Sequence, residues 1–415
     1  MKWYSLNIFG VYMKKKIVIL ITALFILTSD FYAVTAFTGL AGGKLNYSAN
    51  QDKADYEPQL KLQAFFAGQF NFAPKVWSHL EFSIDTDNFL TDSIFKRTSA
   101  RFKVDEISLT TKQTFTTTIN YLSAFVGEFE SIGSDILLRR YFGIEPIASK
   151  ITDSWLGTGN STLYPHFGIG LADVLQSHQF PVLGGVYLYV NNEDEDYKVM
   201  NFDLRTAVCL HYFTLDAAAG LGAPLANKSQ GKDVILTINK LYWHAGSTML
   251  IGNNYTSAAF FAQIGINNAS IKPNEHTTSI TPKTCYCLLE PRFYRDSSHF
   301  HITFYSLPKD TIEELMLIDH NFGINMCFFR KLETKLNVLT IGAHLNAGFK
   351  DVYFDIIKDI NSLDFSDIDV SFIPYFSVPI MSGILNTSLK IKFKKFADGK
   401  PEKAFSADIG YKCKL

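Results

Sequence analysis

Charge is scarce in this sequence. Lys, Arg, Asp and Glu make up 19% of its 415 residues, against roughly 25% in soluble domains. The 39 basic and 40 acidic residues leave a formal net charge of −1, so bulk electrostatics imply neither nucleic acid nor a strongly charged partner. No window holds 18 uninterrupted apolar residues, which leaves no candidate for a transmembrane helix. Cysteine is sparse too. Cys209, Cys285, Cys287, Cys327 and Cys413 form no C-x-x-C pair, so neither a zinc site nor a disulfide framework is signalled. On a strand, Cys285 and Cys287 would share a face and seldom bond to each other. The five read as small apolar fillers, with one disulfide left open.

Catalytic signatures are missing as well. There is no G-x-S-x-G, Walker loop, dinucleotide fingerprint or H-E-x-x-H, and nothing groups a Ser, a base and an orienting residue. The expectation is no enzyme, no cofactor and no metal. His299-x-His301 would set two imidazoles on one strand face, but no third ligand lies nearby in sequence, so they read as polar inward positions.

What the chain does have is aromatic residues, 14% of the total with 36 Phe and 20 Tyr. An aromatic-rich, charge-poor chain implies either a large β core or a surface facing lipid. The front reads as a cleavable export signal over residues 1–36. Lys14, Lys15 and Lys16 precede the apolar run Ile17 to Leu27, and AVTA (Ala33 to Ala36) supplies small residues before Phe37. Either Met1 or Met13 can start it, and an uncleaved anchor is the alternative.

Beyond the signal, period-two alternation recurs. In KLQAFFAGQFNF, residues Leu62, Ala64, Phe66, Gly68, Phe70 and Phe72 oppose Gln63, Phe65, Ala67, Gln69 and Asn71. In TIGAHLNAGF, Ile341, Ala343, Leu345, Ala347 and Phe349 oppose Thr340, Gly342, His344, Asn346 and Gly348. Two architectures use such a pattern: a soluble sandwich packing its apolar face, and a membrane barrel turning that face to lipid. Alternating segments of about 12 to 14 residues exceed the roughly 5 to 6 of soluble strands. Small residues are frequent on the polar face, and the export signal points the same way. The prediction is therefore all-β: a transmembrane antiparallel β-barrel over 37–415 with about 14 to 16 strands. Short turns such as Ala73 to Lys75 and Gly252 to Asn254 alternate with long polar loops such as Asn191 to Lys198 and Lys358 to Asp369.

Residues 130–180 break the alternation. Leu137, Leu138, Tyr141 and Phe142 lie at near-helical spacing, Asp153 could cap a turn, Leu171 to Gln176 could form another, and one strand, Tyr164 to Ala172, could be included. This partly helical insert is expected to fold into the lumen as a plug or constriction, a large external loop being the alternative. Its candidate lumen charges are Arg139, Arg140, Glu145, Lys150, Asp153 and His166. Facing charges of opposite sign would filter solutes; otherwise they pair with strand residues and pin the insert.

The tail DIGYKCKL places Asp408, Gly410, Cys413 and Leu415 at the spacing of the C-terminal signal read by the barrel-assembly machinery, with Cys and Leu where aromatics are usual, and Tyr411 adds an aromatic on the face of the last two. This last strand is expected to pair with Lys44 to Ser48. KLQAFFAGQFNF and RRYFGIEPIASKITDSWLG further resemble spirochaete outer-membrane β-barrel proteins of the porin-like class. That resemblance implies an outer-membrane location, lipid contact and a surface or porin-like role. The expectation is a channel or uptake protein for small solutes. Its alternatives are a fatty-acid-type transporter of hydrophobic compounds and a structural or adhesive surface barrel. Oligomeric state is not legible.

Overall fold

The computed structural model describes residues 36–49, 56–86, 88, 90, 100–133, 135–144, 147, 149, 151, 165–192, 198–225, 240–253, 256–272, 277–308, 317–333, 338–356 and 364–415. Nearly all of the expected export signal lies outside them, as do Glu145, Lys150 and Asp153.

Eighteen long strands make one sheet. They are β1 (Ala36–Ala49), β2 (Pro58–Ala73), β3 (Val76–Thr86), β4 (Ala100–Thr114), β5 (Thr118–Phe129), β6 (His166–Ser177), β7 (Val182–Asn191), β8 (Lys198–Leu210), β9 (Phe213–Leu225), β10 (Leu241–Ile251) and β11 (Ala258–Lys272). After the two-residue β12 (Thr277–Thr278) come β13 (Cys285–Arg295), β14 (Ser298–Ser306), β15 (Phe322–Glu333), β16 (Val338–Phe349), β17 (Asp369–Ile380), β18 (Gly383–Lys392) and β19 (Phe405–Lys414). Each long strand pairs antiparallel with its sequence neighbours, β12 adding a short ladder to β11. The last strand returns to the first, with Leu40 opposite Lys414, Lys44 opposite Gly410 and Tyr47 opposite Ala407. The sheet closes on itself, so no strand edge is left with unpaired backbone groups.

Eighteen strands exceed the 14 to 16 expected. Two-residue turns account for the difference, because they interrupt the alternation too briefly to separate two strands. His211–Tyr212 splits β8 from β9 and Asp296–Ser297 splits β13 from β14. Asp296 and Met381, the latter between β17 and β18, take positive φ values of 52° and 55°, the backbone that such tight reversals need. Connections at this end of the barrel run two to six residues. Those at the other end run six to thirty-six.

The two faces of the strands differ as a barrel requires. Outward go Leu171 and Leu175 on β6, Phe202 and Leu204 on β8, Phe300 and Phe304 on β14, Ile341 and Leu345 on β16, and Ile409 on β19, all exposed. Inward go Ser108, Thr110, Asn201, Asp203, Asp216, Gln263, Asn346 and Ser371, all buried. Leu171 to Gln176 is therefore not a turn but the C-terminal half of β6, where Leu171 and Leu175 alternate with buried Ala172 and Val174, and the strand considered over Tyr164 to Ala172 is its first half from His166 onward. The insert expected over 130–180 ends at 165, since residues 166–177 are a wall strand.

The core lies inside the barrel. Helix α1 (Asp135–Phe142) has Asp135 in its first turn and Arg139 and Arg140 in its last, matching the helix dipole. Gly143, at φ +71°, ends it, with its N–H bonded to Arg139 O at 3.1 Å, a left-handed cap suited to glycine. Leu137, Leu138 and Tyr141 pack with Phe125 and Phe129 of β5, Val174 of β6, Leu183, Tyr187 and Tyr189 of β7, and Phe261 of β11. All five cysteines are free thiols.

Candidate lumen constriction

Two buried acids anchor the chain where it leaves β5 and crosses the interior. Glu130 is completely buried, and its carboxylate accepts from Arg140 Nη1 (2.8 Å), Tyr141 Oη (2.6 Å) and Tyr187 Oη (2.8 Å). Arg140 reaches on to Glu106 Oε1 of β4 at 3.0 Å, and its guanidinium lies 4.8 Å from the Phe129 ring centre. The cation thus holds both the root of the segment and the wall. One turn further, Arg205 of β8 grips Asp216 of β9 in a two-pronged pair at 2.8 and 2.6 Å. Its Nη1 donates to the Glu130 carbonyl, and its Nη2, shared with Asp216, also reaches the Ser131 carbonyl. The Gly133 N–H closes the set by donating to Asp216 Oδ2 at 2.9 Å. Charge-assisted bonds of this kind are the strong ones.

A second cluster sits beside the first. Asp203 of β8 accepts from Tyr189 Oη at 2.7 Å and lies 2.9 Å from His244 Nε2 and 3.3 Å from His166 Nε2. His166 stacks on Tyr187 with ring centres 3.9 Å apart, while its Nδ1 faces the carbonyl of Phe129 at 3.2 Å. Gly220 of β9 makes room for this contact: a Cβ there would overlap Asp203 Oδ1 and His244 Nε2. A Gly220→Ala change is expected to separate the His244–Asp203 pair and lower the unfolding midpoint in denaturant, with Gly184→Ala on β7, where an added Cβ meets open space, as the control. Farther round, Ser149 Oγ donates to Glu290 Oε2 of β13 at 2.8 Å, and Arg292 Nε to Glu290 Oε1 at 2.8 Å. The described residues among 130–151 therefore touch inward side chains from β4 to β13.

Of the candidate charges read from sequence, Arg140 and His166 meet at this network, one on the Glu130 carboxylate and the other against the carbonyls beside it. Arg139 is exposed on the far side of α1. Glu145, Lys150 and Asp153 lie outside the described residues. Glu106, Glu130, Asp203, Arg205, Asp216, His244 and Glu290 were not singled out by sequence. Their available signal was position: each strand member sits at an inward parity among small or apolar neighbours, as Asp203 and Arg205 do in FDLRTAV. His301 lies inward, 3.6 Å from Glu290.

A second stretch folds inward between β14 and β15. Ile318, His320 and Asn321 are buried, and Asn346 Nδ2 of β16 donates to Leu317 O at 2.6 Å. From this stretch Asp319 Oδ2 meets Lys390 Nζ at 2.7 Å and Lys392 Nζ at 2.9 Å. Burial pushes the Asp319 carboxyl up, but the two ammonium groups outweigh it and hold it below the usual carboxylate range. A lowered folded-state value means that the tie is fully present above the unfolded value, about 4, and is lost as pH falls through the folded one. Asp319→Asn is therefore expected to lower stability at neutral pH and to lose that effect in strong acid, as urea midpoints at both pH values would register.

At the tail, Asp408 faces inward, 3.4 Å from Lys44 Nζ and accepting from Asn46 Nδ2 at 2.9 Å. Gly410 stands opposite Lys44. Tyr411 Oη donates to Ile380 O at 3.2 Å, Cys413 Sγ to Ala41 O at 3.5 Å, and the Leu415 N–H to Gly39 O at 2.8 Å.

No protein-family model matches the sequence, and no curated protein does. Among solved structures the chain is similar to a Rhodopseudomonas blastica porin triple mutant, at 10% identity and TM-score 0.43, over 92% of this chain and 100% of that one. It is also similar to a loop-deletion mutant of OmpT, an outer membrane protein of Vibrio cholerae, at 12% identity and TM-score 0.40, over 92% and 99%. The assignment to closed antiparallel barrels rests on the chain's own register, from β1 round to β19.

Proposed function

We propose that this chain is an outer-membrane barrel that passes small solutes through a lumen narrowed by residues 130–151. The observation that carries the reading is the closed seam between β1 and β19, combined with opposite faces: large apolar side chains outward, ionised side chains inward. Lipid cannot hydrogen-bond backbone groups, so a closed sheet with an apolar belt is the β arrangement it tolerates. In barrels of 16 to 18 strands the enclosed space is wide enough for water. The likeness of KLQAFFAGQFNF to spirochaete surface barrels supports the same reading. So does the tail from Asp408 to Leu415, which would serve recognition by the assembly machinery. No step of this function involves bond-making or bond-breaking by the protein.

A second reading is favoured by one observation. Around α1 the interior packs Phe125, Phe129, Leu137, Leu138, Leu183 and Phe261 into an apolar cluster, all buried, an environment that favours a hydrophobic compound over water. Swelling of protein-loaded liposomes in isotonic sugars of increasing size tests the two together. Passage with a size cut-off supports the solute channel. Impermeability to every sugar, with saturable fatty-acid binding, supports the transporter. Impermeability without binding leaves a structural or adhesive barrel.

A further inference from the structure

The inner wall of the barrel is strongly asymmetric in charge at the seam. On β18, β19, β1 and β2 the inward parity carries Lys390, Lys392, Lys412, Lys414, Lys44 and Lys61. On the same four strands, among the described residues, the one acid at that parity is Asp408. Hydroxyl and amide donors lie among these lysines: Asn46 on β1, Gln63 on β2, Ser388 on β18. The register sets them side by side, with Lys44 opposite both Gly410 and Gln63, and Asp408 opposite both Asn46 and Ser388. Six ammonium-bearing positions against one carboxylate make a donor-rich, positive stripe along one side of the lumen. Its low-dielectric backing strengthens its field relative to bulk water.

The stripe also holds a built example of what it binds. Lys390 and Lys392 stand two apart on β18 and so share a face, with the Lys390 side chain buried at 7% exposure and that of Lys392 half-buried at 15%. They converge on one oxygen, Asp319 Oδ2, at 2.7 and 2.9 Å. Asp319 is not part of the wall. It arrives on the inward-folded stretch 317–321 and keeps more than a third of its side chain exposed. A carboxylate brought from elsewhere in the chain thus occupies a two-ammonium seat on the wall.

We propose that this stripe is an oxyanion path through the lumen and that Lys390 and Lys392 form its binding step, taking a carboxylate or phosphate group in the position Asp319 Oδ2 now fills. The proposal deepens the channel reading and rests on it for transport, though not for binding. A solute oxyanion exchanges with the Asp319 carboxylate, and no bond is made or broken. The solute class is small carboxylates and phosphates. Uncharged sugars and cations gain nothing from the stripe.

Two measurements on the folded, full-length barrel test it, one of which needs no open channel. In detergent, inorganic phosphate and succinate are titrated separately by calorimetry against wild type, Asp319→Asn and the double variant Lys390→Gln/Lys392→Gln. Asp319→Asn is expected to bind at least about tenfold more tightly than wild type, since the internal competitor has lost its charge. The double variant is expected to lose binding. Phosphate alone binding, or succinate alone, would assign the source of the group. Equal affinity in all three proteins, or no binding even by Asp319→Asn, overturns the site. In planar bilayers under a KCl gradient, the reversal potential is expected to report chloride preference in wild type. It should report more in Asp319→Asn and less in the double variant. Absence of any conductance defeats the channel reading while calorimetry still decides the site. Conductance with cation preference defeats the path and spares the channel.

Discussion

Replacing Arg205 by Leu is expected to cost about 3–5 kcal/mol of folding free energy, the scale for stripping one partner from a buried ion pair. Asp216 would be left as a fully buried carboxylate with, among the described residues, the Gly133 N–H as its remaining hydrogen-bond donor, and the carbonyls of Glu130 and Ser131 would lose their shared donor. The cost comes from the abandoned charge rather than from any large net worth of the pair. The Arg205→Leu/Asp216→Leu double variant is therefore expected to recover most of it, because two apolar side chains of similar bulk need no solvation. Urea midpoints of the barrel refolded into lipid vesicles would read both effects. A single variant no less stable than the double one would mean that residues 130–133 are not held at this point. Because the same guanidinium ties the segment to the wall, Arg205→Leu should also loosen the constriction.

Leu204 is the second position where a large effect is expected. It lies midway along β8, points outward and is 54% exposed. Leu204→Lys should destabilise the barrel in lipid by about 2–4 kcal/mol, the scale for a cation at the bilayer midplane, with smaller costs toward either end of the strand. On a water-facing surface the same change would fall within about 0.5 kcal/mol. A depth profile made with Met200→Lys, Phe202→Lys and Leu204→Lys distinguishes the two, since all three residues share the outward face. A flat profile near zero would mean that this face meets water.

The wall was legible in the sequence because its rule is local. A residue's parity within HFHITFY or TIGAHLNAGF fixes its face, and Phe300, Phe304, Ile341 and Leu345 lie outward as alternation requires. The seam was legible for the same reason, since DIGYKCKL could pair as a strand with Lys44 to Ser48. Strand number was less so: a two-residue turn such as Asp296–Ser297 interrupts the alternation too briefly to be seen. Within β6, apolar Ala172 and Val174 face an apolar interior, so the strand lost its polar face and imitated a helix.

The lumen network was the least legible part. Glu130 meets Tyr187 across 57 residues and Gly133 meets Asp216 across 83. Nothing in the local spacing of these residues announces such contacts. Arg140 stood out because the insert around it is apolar. Asp203, Arg205 and Asp216 did not, because a polar residue on the inward parity is ordinary in a barrel. Mid-strand charges of opposite sign on adjacent strands were the overlooked signal.

If the lumen is a passage that the inward segment narrows, removing that segment should widen it. Deleting residues 134–150, between Gly133 and the start of β6, leaves every wall strand intact. Single-channel conductance of this variant and of wild type, recorded in planar bilayers at the same salt, decides whether it does. The expected result is discrete steps in wild type and steps several-fold larger in the variant. Equal steps in the two proteins, or no steps in a variant that folds and inserts, would contradict it.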